Sequence, residues 1–527
     1  MDLELTLTFV LAAVVALLVL AQLLRVPYPI LLVVGGCVLG AIPDIPNVEL
    51  EPELVLLILL PPLLYAAAFF TPLRELRRNV GAVSTLAVGL VLATMLVVAF
   101  VAHAALGFGW AESFVLGAIV SPTDPVAATA IARRLGVPGR IVTIVEGESL
   151  VNDGTALVAY KFAVAAVVTG SFSLAEASGE FVLNALGGIA VGIAVGAAVA
   201  AVRRRLLNPP VEVTIALFTS YFAYLPAEEI GVSGVLAAVT VGIYMGRLTS
   251  QLTTPTTRIQ GTAVWEIVVF LVNSALFVLI GLQLPTVLDA IEGQSRGAIF
   301  LDGVLIAGVV MAVRIAWVFP LTYLPRVLSR RVRESGPAPP WEHTLLVAWT
   351  GMRGAVSLAA ALALPLTVDA GGAFPERDSI IFLSFSVILG TLLAQGLTLP
   401  LLIKALGVDD YDAQLEREEA KARILAVDGA LARIDALAEE EWVREETADR
   451  VRQLYDYRRR RFASRFDDEA DSDGFEERAE AYQRLLRELL DAQRAILIDL
   501  RDAGRINDEI LRRIERELDY EDARLEI

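Results

Sequence analysis

With 56% hydrophobic residues among 527 and a mean hydropathy of +0.61, the chain is too apolar for an ordinary water-soluble fold. Most of its net charge of −17 falls in Gly407–Ile527, which holds 35 acidic and 22 basic residues, so a basic nucleic-acid footprint is absent. A single cysteine, Cys37, sits in an apolar run as a packing residue and excludes an internal disulfide and a cysteine-ligated metal cluster.

Apolar runs near the roughly 20 residues that a hydrocarbon core demands begin close to the N-terminus. They fall at 6–24, 28–43, 54–70, 80–103, 112–132 and 141–168. Further runs follow at 180–202, 211–226, 231–248, 261–284, 298–325, 341–366 and 379–403. The first has no basic flank and no small-residue cleavage site, so it is expected to stay as a span and not to be removed as a signal. The sequence thus predicts an all-α membrane protein of about thirteen transmembrane helices within residues 1–407. Loops after odd-numbered spans carry sixteen arginines, from Arg25 to Arg333, against only Arg296 and Arg377 after even ones. The even loops are instead acidic, with Glu51, Glu176, Glu228 and Glu229 among them. By the positive-inside rule the N-terminus lies outside and the C-terminal region inside a cytoplasmic membrane.

From residue 408 to 527 the composition changes to Glu, Arg, Ala and Leu with apolar residues at helical spacing, such as Leu431, Ile434 and Leu437. This predicts a cytoplasmic acidic helical tail. A basic cluster at Arg458–Arg461 and an acidic stretch at Asp467–Asp473, followed by Gly474, interrupt it. The tail reads equally as a regulatory or dimer-supporting module and as a solvated helical hairpin.

Ionisable groups at membrane depth are costly, which makes the few inside these spans the functional candidates. In the fifth span, Ser121-Pro122-Thr123-Asp124-Pro125 places prolines on both sides of Thr123 and Asp124. Each proline lacks the amide hydrogen that would bond the carbonyl four residues back, which frees the carbonyls of Ala118 and Ser121. An unwound stretch at this depth must line protein or a watery cavity, where such carbonyls suit a hard cation. In the sixth span, Glu146-Gly147-Glu148-Ser149-Leu150-Val151-Asn152-Asp153 sets Ser149 beside Asp153 and Glu148 beside Asn152 on a helix. A carboxylate next to a hydroxyl accepts a sodium ion or a proton in turn, because both use the same oxygen lone pairs. Burial disfavours the charged form of a carboxylate, the condition under which a proton competes with a cation. Glu148 is expected to pair with Arg353 in Thr350-Gly351-Met352-Arg353-Gly354 of the twelfth span, since arginine stays charged and prefers a planar partner. The fifth and twelfth spans are each fifth in a set of six, separated by the seventh, which predicts two inverted six-helix repeats with broken crossing helices.

At these residues the sequence resembles the NhaP-type and eukaryotic NHE-type sodium/proton antiporters of the cation:proton antiporter-1 family, over roughly residues 5–405. The resemblance rests on Ser121–Pro125, Gly147–Asp153 and Gly351-Met352-Arg353-Gly354-Ala355-Val356 in the family's order. It implies electroneutral exchange of Na+, or alternatively K+ or Li+, for H+, with pH homeostasis as the physiological role. Asp153 is then the carboxylate that binds cation and proton, with Ser149 and Thr123 as further ligands of the transported Na+. Asp124 and Asn152 support the crossing, and Glu148 with Arg353 forms a structural ion pair. The resemblance also implies a homodimer in which a six-helix core domain moves against a dimerisation domain. Beyond monovalent cations, protons, membrane lipid and the second copy, no partner is expected, and no cofactor.

The chain departs from that pattern in the third span, Leu60-Pro61-Pro62-Leu63-Leu64-Tyr65, where Ala66 stands in place of a glutamate. Tyr65, Thr71 or water is the expected substitute. Arg314 and Lys161 lie within spans, where a structural ion pair or an interface contact is expected of each. An enzyme reading, intramembrane proteolysis through Gly231-Val232-Ser233-Gly234, requires a base within hydrogen-bond reach. The topology puts Ser233 and His343 at opposite membrane faces, and the other histidine, His103, in an unrelated outer region. A nucleotide-driven pump would need a phosphate-binding glycine loop that the tail lacks.

Overall fold

The computed structural model describes residues 3–24, 26–42, 52–171, 174–206, 208–291, 295–328, 330, 338–408, 412–464 and 475–523. Arg25, Glu51, Arg331, Arg333 and residues 467–474 therefore lie outside the described residues. All regular elements among the described residues are helices, and an isolated bridge joins Thr367 to Ala373. Chain contacts divide the molecule into Met1–Asp409 and Asp410–Ile527.

The first unit begins with α1 (Leu3–Leu24), α2 (Tyr28–Gly40), α3 (Leu54–Phe70), the short α4 (Leu73–Arg78) and α5 (Val80–Leu106). Next come α6 (Trp110–Val120), α7 (Val126–Arg134), α8 (Gly139–Thr169), α9 (Leu174–Arg203), α10 (Pro209–Glu229) and α11 (Gly234–Leu252). The unit closes with α12 (Pro255–Ala290), α13 (Arg296–Leu328), α14 (Trp341–Trp349), α15 (Ala355–Leu362) and α16 (Arg377–Leu406).

Among the described residues seven helices, α5, α8, α9, α11, α12, α13 and α16, are long and apolar enough to cross a membrane. The runs at 112–132 and 341–366 are not continuous helices: the first is divided between α6 and α7, the second between α14 and α15. The divisions fall on the Pro122–Pro125 and Gly351–Gly354 segments. The weak run at 211–226 forms the 21-residue α10, whose glutamates Glu212, Glu228 and Glu229 lower its apolarity.

The helices fall into two groups by their principal contacts. In one, α2 packs on α12, while α3, α9 and α10 pack on α11. In the other, α5 packs on α6, α6 on α8, and α13 on α14 and α16. The groups meet where Leu150 of α8 joins Leu60 and Leu64 of α3 and Val235 and Val239 of α11.

Within the first group α11 approaches α3 to backbone distance. A Cβ on Gly242 would stand 2.7 Å from the Tyr65 carbonyl oxygen, and one on Gly246 would collide with the Phe69 carbonyl. Small residues spaced four apart let membrane helices gain close van der Waals contact where lipid gives no hydrophobic drive to associate. We expect Gly242→Val to separate α3 from α11 and destabilise the protein by about 1–3 kcal/mol. Thermal unfolding in detergent checks this, and an unchanged melting temperature contradicts it.

The second unit contains α17 (Asp412–Ala438), α18 (Glu445–Ser464), α19 (Phe475–Asp502) and α20 (Asp508–Ala523). Helices α17 and α18 pair, with Arg452 reaching Asp435 at 2.8 Å and Arg459 reaching Asp428 at 2.6 Å. Arg494 ties α19 to α20 through Asp519 and Asp522, both at 3.0 Å. These ion pairs are exposed and contribute little stability each.

Candidate functional site

The two unwound segments touch. The Asp124 amide donates to the Met352 carbonyl at 2.8 Å, which joins the break between α6 and α7 to the break between α14 and α15. One Asp124 carboxylate oxygen accepts from the Val126 amide at 2.9 Å, at the start of α7. The other lies against Gly354, just before α15, where a Cβ would collide with it. Asp124 thus caps the start of α7 and lies beside the start of α15, positions where the macrodipole and free amides favour negative charge.

The opposite ends are served by arginines. Arg353 donates from Nε to the Val120 carbonyl at 3.0 Å, at the end of α6, and from its guanidinium to the Gly351 carbonyl. Arg314 donates from Nε and Nη2 to the Val347 carbonyl at 3.2 and 3.0 Å, near the end of α14. Of the carbonyls freed by the prolines, that of Ala118 accepts the Ser121 hydroxyl at 2.9 Å, so protein already occupies it.

Glu148 pairs with Arg314 and not with Arg353. Arg314 grips it with both terminal nitrogens, Nη1 to Oε1 at 2.5 Å and Nη2 to Oε2 at 2.8 Å, and both side chains are at most 1% exposed. The expected Glu148–Arg353 pair is corrected for a geometric reason. Arg353 sits in the unwound segment with its guanidinium turned to helix-end carbonyls, whereas Arg314 projects from the continuous α13 and presents a planar fork. A sequence signal existed: two intramembrane arginines competed for one buried glutamate, and Arg314 was the one on an unbroken helix.

The Glu148 network continues into the crossing. The Thr123 hydroxyl donates to Glu148 Oε1 at 2.9 Å and accepts from Asn152 Nδ2 at 2.8 Å. The Asn152 amide also approaches the Thr123 carbonyl at 3.4 Å. Three of the candidate residues are therefore hydrogen-bonded together, with Asp124 beside them on the same unwound strand.

Asp153 stands apart from that network. It is 8% exposed, as is Ser149, and no side-chain hydrogen bond or ion pair reaches it among the described residues. Asp153 and Ser149 share a face of α8 by their four-residue spacing. Next to Asp153, Gly154 packs against Leu236 and Val235 at the start of α11, which sets Asp153 near the junction of the two helix groups.

The substitutes considered for a carboxylate at position 66 have other surroundings. Ala66 is buried among α9–α12 residues, and Tyr65 beside it stacks on Trp265 at 5.1 Å with its hydroxyl unpartnered. The Thr71 hydroxyl closes on the Ala67 carbonyl at 2.6 Å. Lys161 pairs with Glu228 at 3.2 Å. Arg203, counted from sequence as a loop charge, lies in the last turn of α9, buried 3.6 Å from Glu212. Ser233 caps α11 by accepting from the Leu236 amide at 3.2 Å, which gives Gly-Val-Ser-Gly a structural purpose.

Removing either partner of the buried Glu148–Arg314 pair strands a charge, so Glu148→Gln and Arg314→Gln are each expected to cost about 3–5 kcal/mol. The apolar double replacement Glu148→Leu/Arg314→Met should recover most of that loss, while Glu148→Gln with Arg353→Gln should be near additive. Melting temperatures of these four variants and of Arg353→Gln alone, in detergent, check the assignment; strong coupling between Glu148 and Arg353, with no recovery in the Glu148→Leu/Arg314→Met variant, would reverse it.

Comparison with known proteins agrees with this architecture. Residues 9–405 match the family model described as sodium/hydrogen exchanger, transmembrane. An uncharacterised Na+/H+ exchanger of Mycobacterium tuberculosis is 36% identical over 518 residues, covering 98% of this chain and 94% of that protein. A sodium, potassium, lithium and rubidium/H+ antiporter of Bacillus pumilus is 36% identical over 411 residues, covering 75% of this chain and 61% of that one. In fold, the sodium proton antiporter MjNhaP1 of Methanocaldococcus jannaschii superposes with a TM-score of 0.62 at 20% identity, over 77% of this chain and all of that one. The chain belongs to the sodium/hydrogen exchanger family, as an NhaP-type cation:proton antiporter with multiple membrane-crossing helices.

Proposed function

We propose that this protein exchanges Na+ for H+ across the cytoplasmic membrane, with Asp153 binding the cation and the proton alternately. One observation carries the reading: Asp153 is a buried carboxylate without a side-chain partner among the described residues, while its neighbours are committed. Glu148 is held by Arg314 and Thr123, and Asp124 accepts from the Val126 amide at the start of α7 and packs against Gly354. Ser149 supplies a hydroxyl on the same helix face, and the Thr123 carbonyl faces the crossing as a further ligand. Asn152 and Glu148 keep Thr123 in place.

In the proposed arrangement thirteen spans form two inverted six-helix repeats, the N-terminus lies outside and the helical tail is cytoplasmic. Two copies associate through the group that contains α11, and the group that contains α8 moves against it. No enzymatic step and no cofactor is involved. The Bacillus pumilus relative, named for four alkali cations, favours K+ or Li+ as additional substrates.

Asp153→Asn is expected to abolish cation-dependent proton flux in proteoliposomes while the protein stays folded and inserted, because a neutral amide exchanges neither substrate. Flux near the wild-type rate in that variant would overturn the assignment. Running Na+, K+ and Li+ on the wild type separates the narrow reading from the broad one.

Exchange is further expected to be electroneutral. Asn152 stands before Asp153, leaving one uncommitted carboxylate, which crosses neutral whether it carries a proton or a monovalent cation. Membrane voltage then supplies no driving force. The measurement is the exchange rate at fixed ion gradients under a valinomycin-imposed potassium diffusion potential; a rate that scales with the potential rules out one-for-one exchange.

A further inference from the structure

The two helix groups meet over an apolar seam where α8 faces α3 and α11, and among the described residues an ion pair links α8 to the α10–α11 corner about two turns beyond Asp153. Lys161 Nζ reaches Glu228 Oε2 at 3.2 Å. Lys161 is eight residues past Asp153 on the same helix, about 12 Å further along the axis. Glu228 belongs to the last turn of α10, and its other oxygen accepts from the Gly234 amide at 3.0 Å, at the first residue of α11. Gly234 sits so close to Glu228 that a Cβ would stand 2.8 Å from the Glu228 Cγ. The carboxylate is therefore fixed to one group by one oxygen and offers the other across the seam.

We infer that the Lys161–Glu228 pair is an outer latch that holds the helix bearing Asp153 against the α10–α11 corner in the conformation described, and that it must open in each transport cycle. The inference rests on the proposed movement of one helix group against the other. The apolar part of the seam, Leu150 and Val151 against Leu60, Leu64, Val235 and Val239, is held by non-directional contact and by no hydrogen bond between these side chains. A displacement of α8 by a few ångströms preserves most of that contact but breaks a hydrogen-bonded ion pair, whose geometry is narrow. Lys161 is 60% exposed and Glu228 30%, so neither charge is locked into the protein interior and the pair can part without opening the core. A latch of this strength biases a conformational equilibrium without locking it.

The test is a charge-reversal cycle in proteoliposomes, with apparent cation KM and maximal exchange rate read for each variant. Lys161→Glu sets two carboxylates face to face and should change KM or rate about two- to fivefold, the range for an exposed pair. Adding Glu228→Lys should return both to within about twofold of wild type, a rescue that loss of fold or of Asp153 function does not give. Additive effects, or no effect of Lys161→Glu, overturn the latch. Glu228 also caps α11, so a second arm uses Lys161→Cys/Glu228→Cys in a Cys37→Ala background. Oxidation, scored by loss of maleimide labelling, should stop exchange, and reduction should restore it. Fully oxidised protein exchanging at the reduced rate also overturns the latch. Wild-type exchange measured alongside separates either failure from failure of the antiport reading itself.

Discussion

Breaking two helices in the middle of a membrane creates four helix ends where lipid offers nothing to bond them, and the site follows from how those ends are satisfied. Of the two N-termini, that of α7 is bonded by Asp124 and that of α15 lies against the same carboxylate at Gly354. Two C-termini, of α6 and α14, receive Arg353 and Arg314 through the Val120 and Val347 carbonyls. Each charge matches the sign of the helix end that it meets. The two arginines bring an excess of positive charge into a medium that penalises it, and Glu148 offsets one of them through a fork of two hydrogen bonds.

With those groups occupied, Asp153 is the carboxylate that the proposed exchange leaves to take cation and proton in turn. A residue held by an arginine and a threonine cannot exchange ligands cheaply, because each departure leaves a buried polar group unsatisfied. Asp153 carries no such obligation. Its position on the continuous α8, one residue beyond Asn152 and next to the glycine that meets α11, joins the rigid crossing to the boundary between the groups. Asn152 has a structural consequence as well: an amide can donate to Thr123, whereas a carboxylate at the same place would add charge and lose that donor.

The sequence made the position of this centre legible because intramembrane charge, proline and glycine are rare enough to be read singly. Ser121–Pro125 and Gly351–Gly354 marked the breaks, and Glu148 to Asp153 marked the helix beside them. Periodicity could not say which of two arginines Glu148 would choose, since that depends on where the guanidinium of Arg353 turns after the chain leaves the helix. The Arg203–Glu212 pair was hidden for another reason: Arg203 closes an apolar run and reads as an interfacial charge, yet the turn into α10 folds it inward. The run at 211–226 was weak because its flanking glutamates bond within the protein, Glu212 with Arg203 and Glu228 with Lys161 and the start of α11. The contact of Gly242 and Gly246 with α3 carried no charge to flag it and depended on which face of α11 points to which neighbour.

The groups also differ in what holds each together, and that difference bears on movement. Around α11 the contact is backbone against small residue, at Gly242 with the Tyr65 carbonyl, where a shift of a fraction of an ångström produces a clash. Around the crossing the contact is charge and hydrogen bond, equally specific in direction. Where α8 meets α3 and α11 the side chains are mostly Leu, Val and Ala, which pack by area and shape and not by directed bonds. The proposed exchange would place relative displacement at such a contact, because it costs fewer directed bonds than parting either group internally. Asp153 lies beside that contact, on the helix that carries Glu148 and Asn152 and next to the glycine that meets α11. In the proposed cycle Arg314, Glu148, Thr123 and Asn152 would travel with it as one hydrogen-bonded unit.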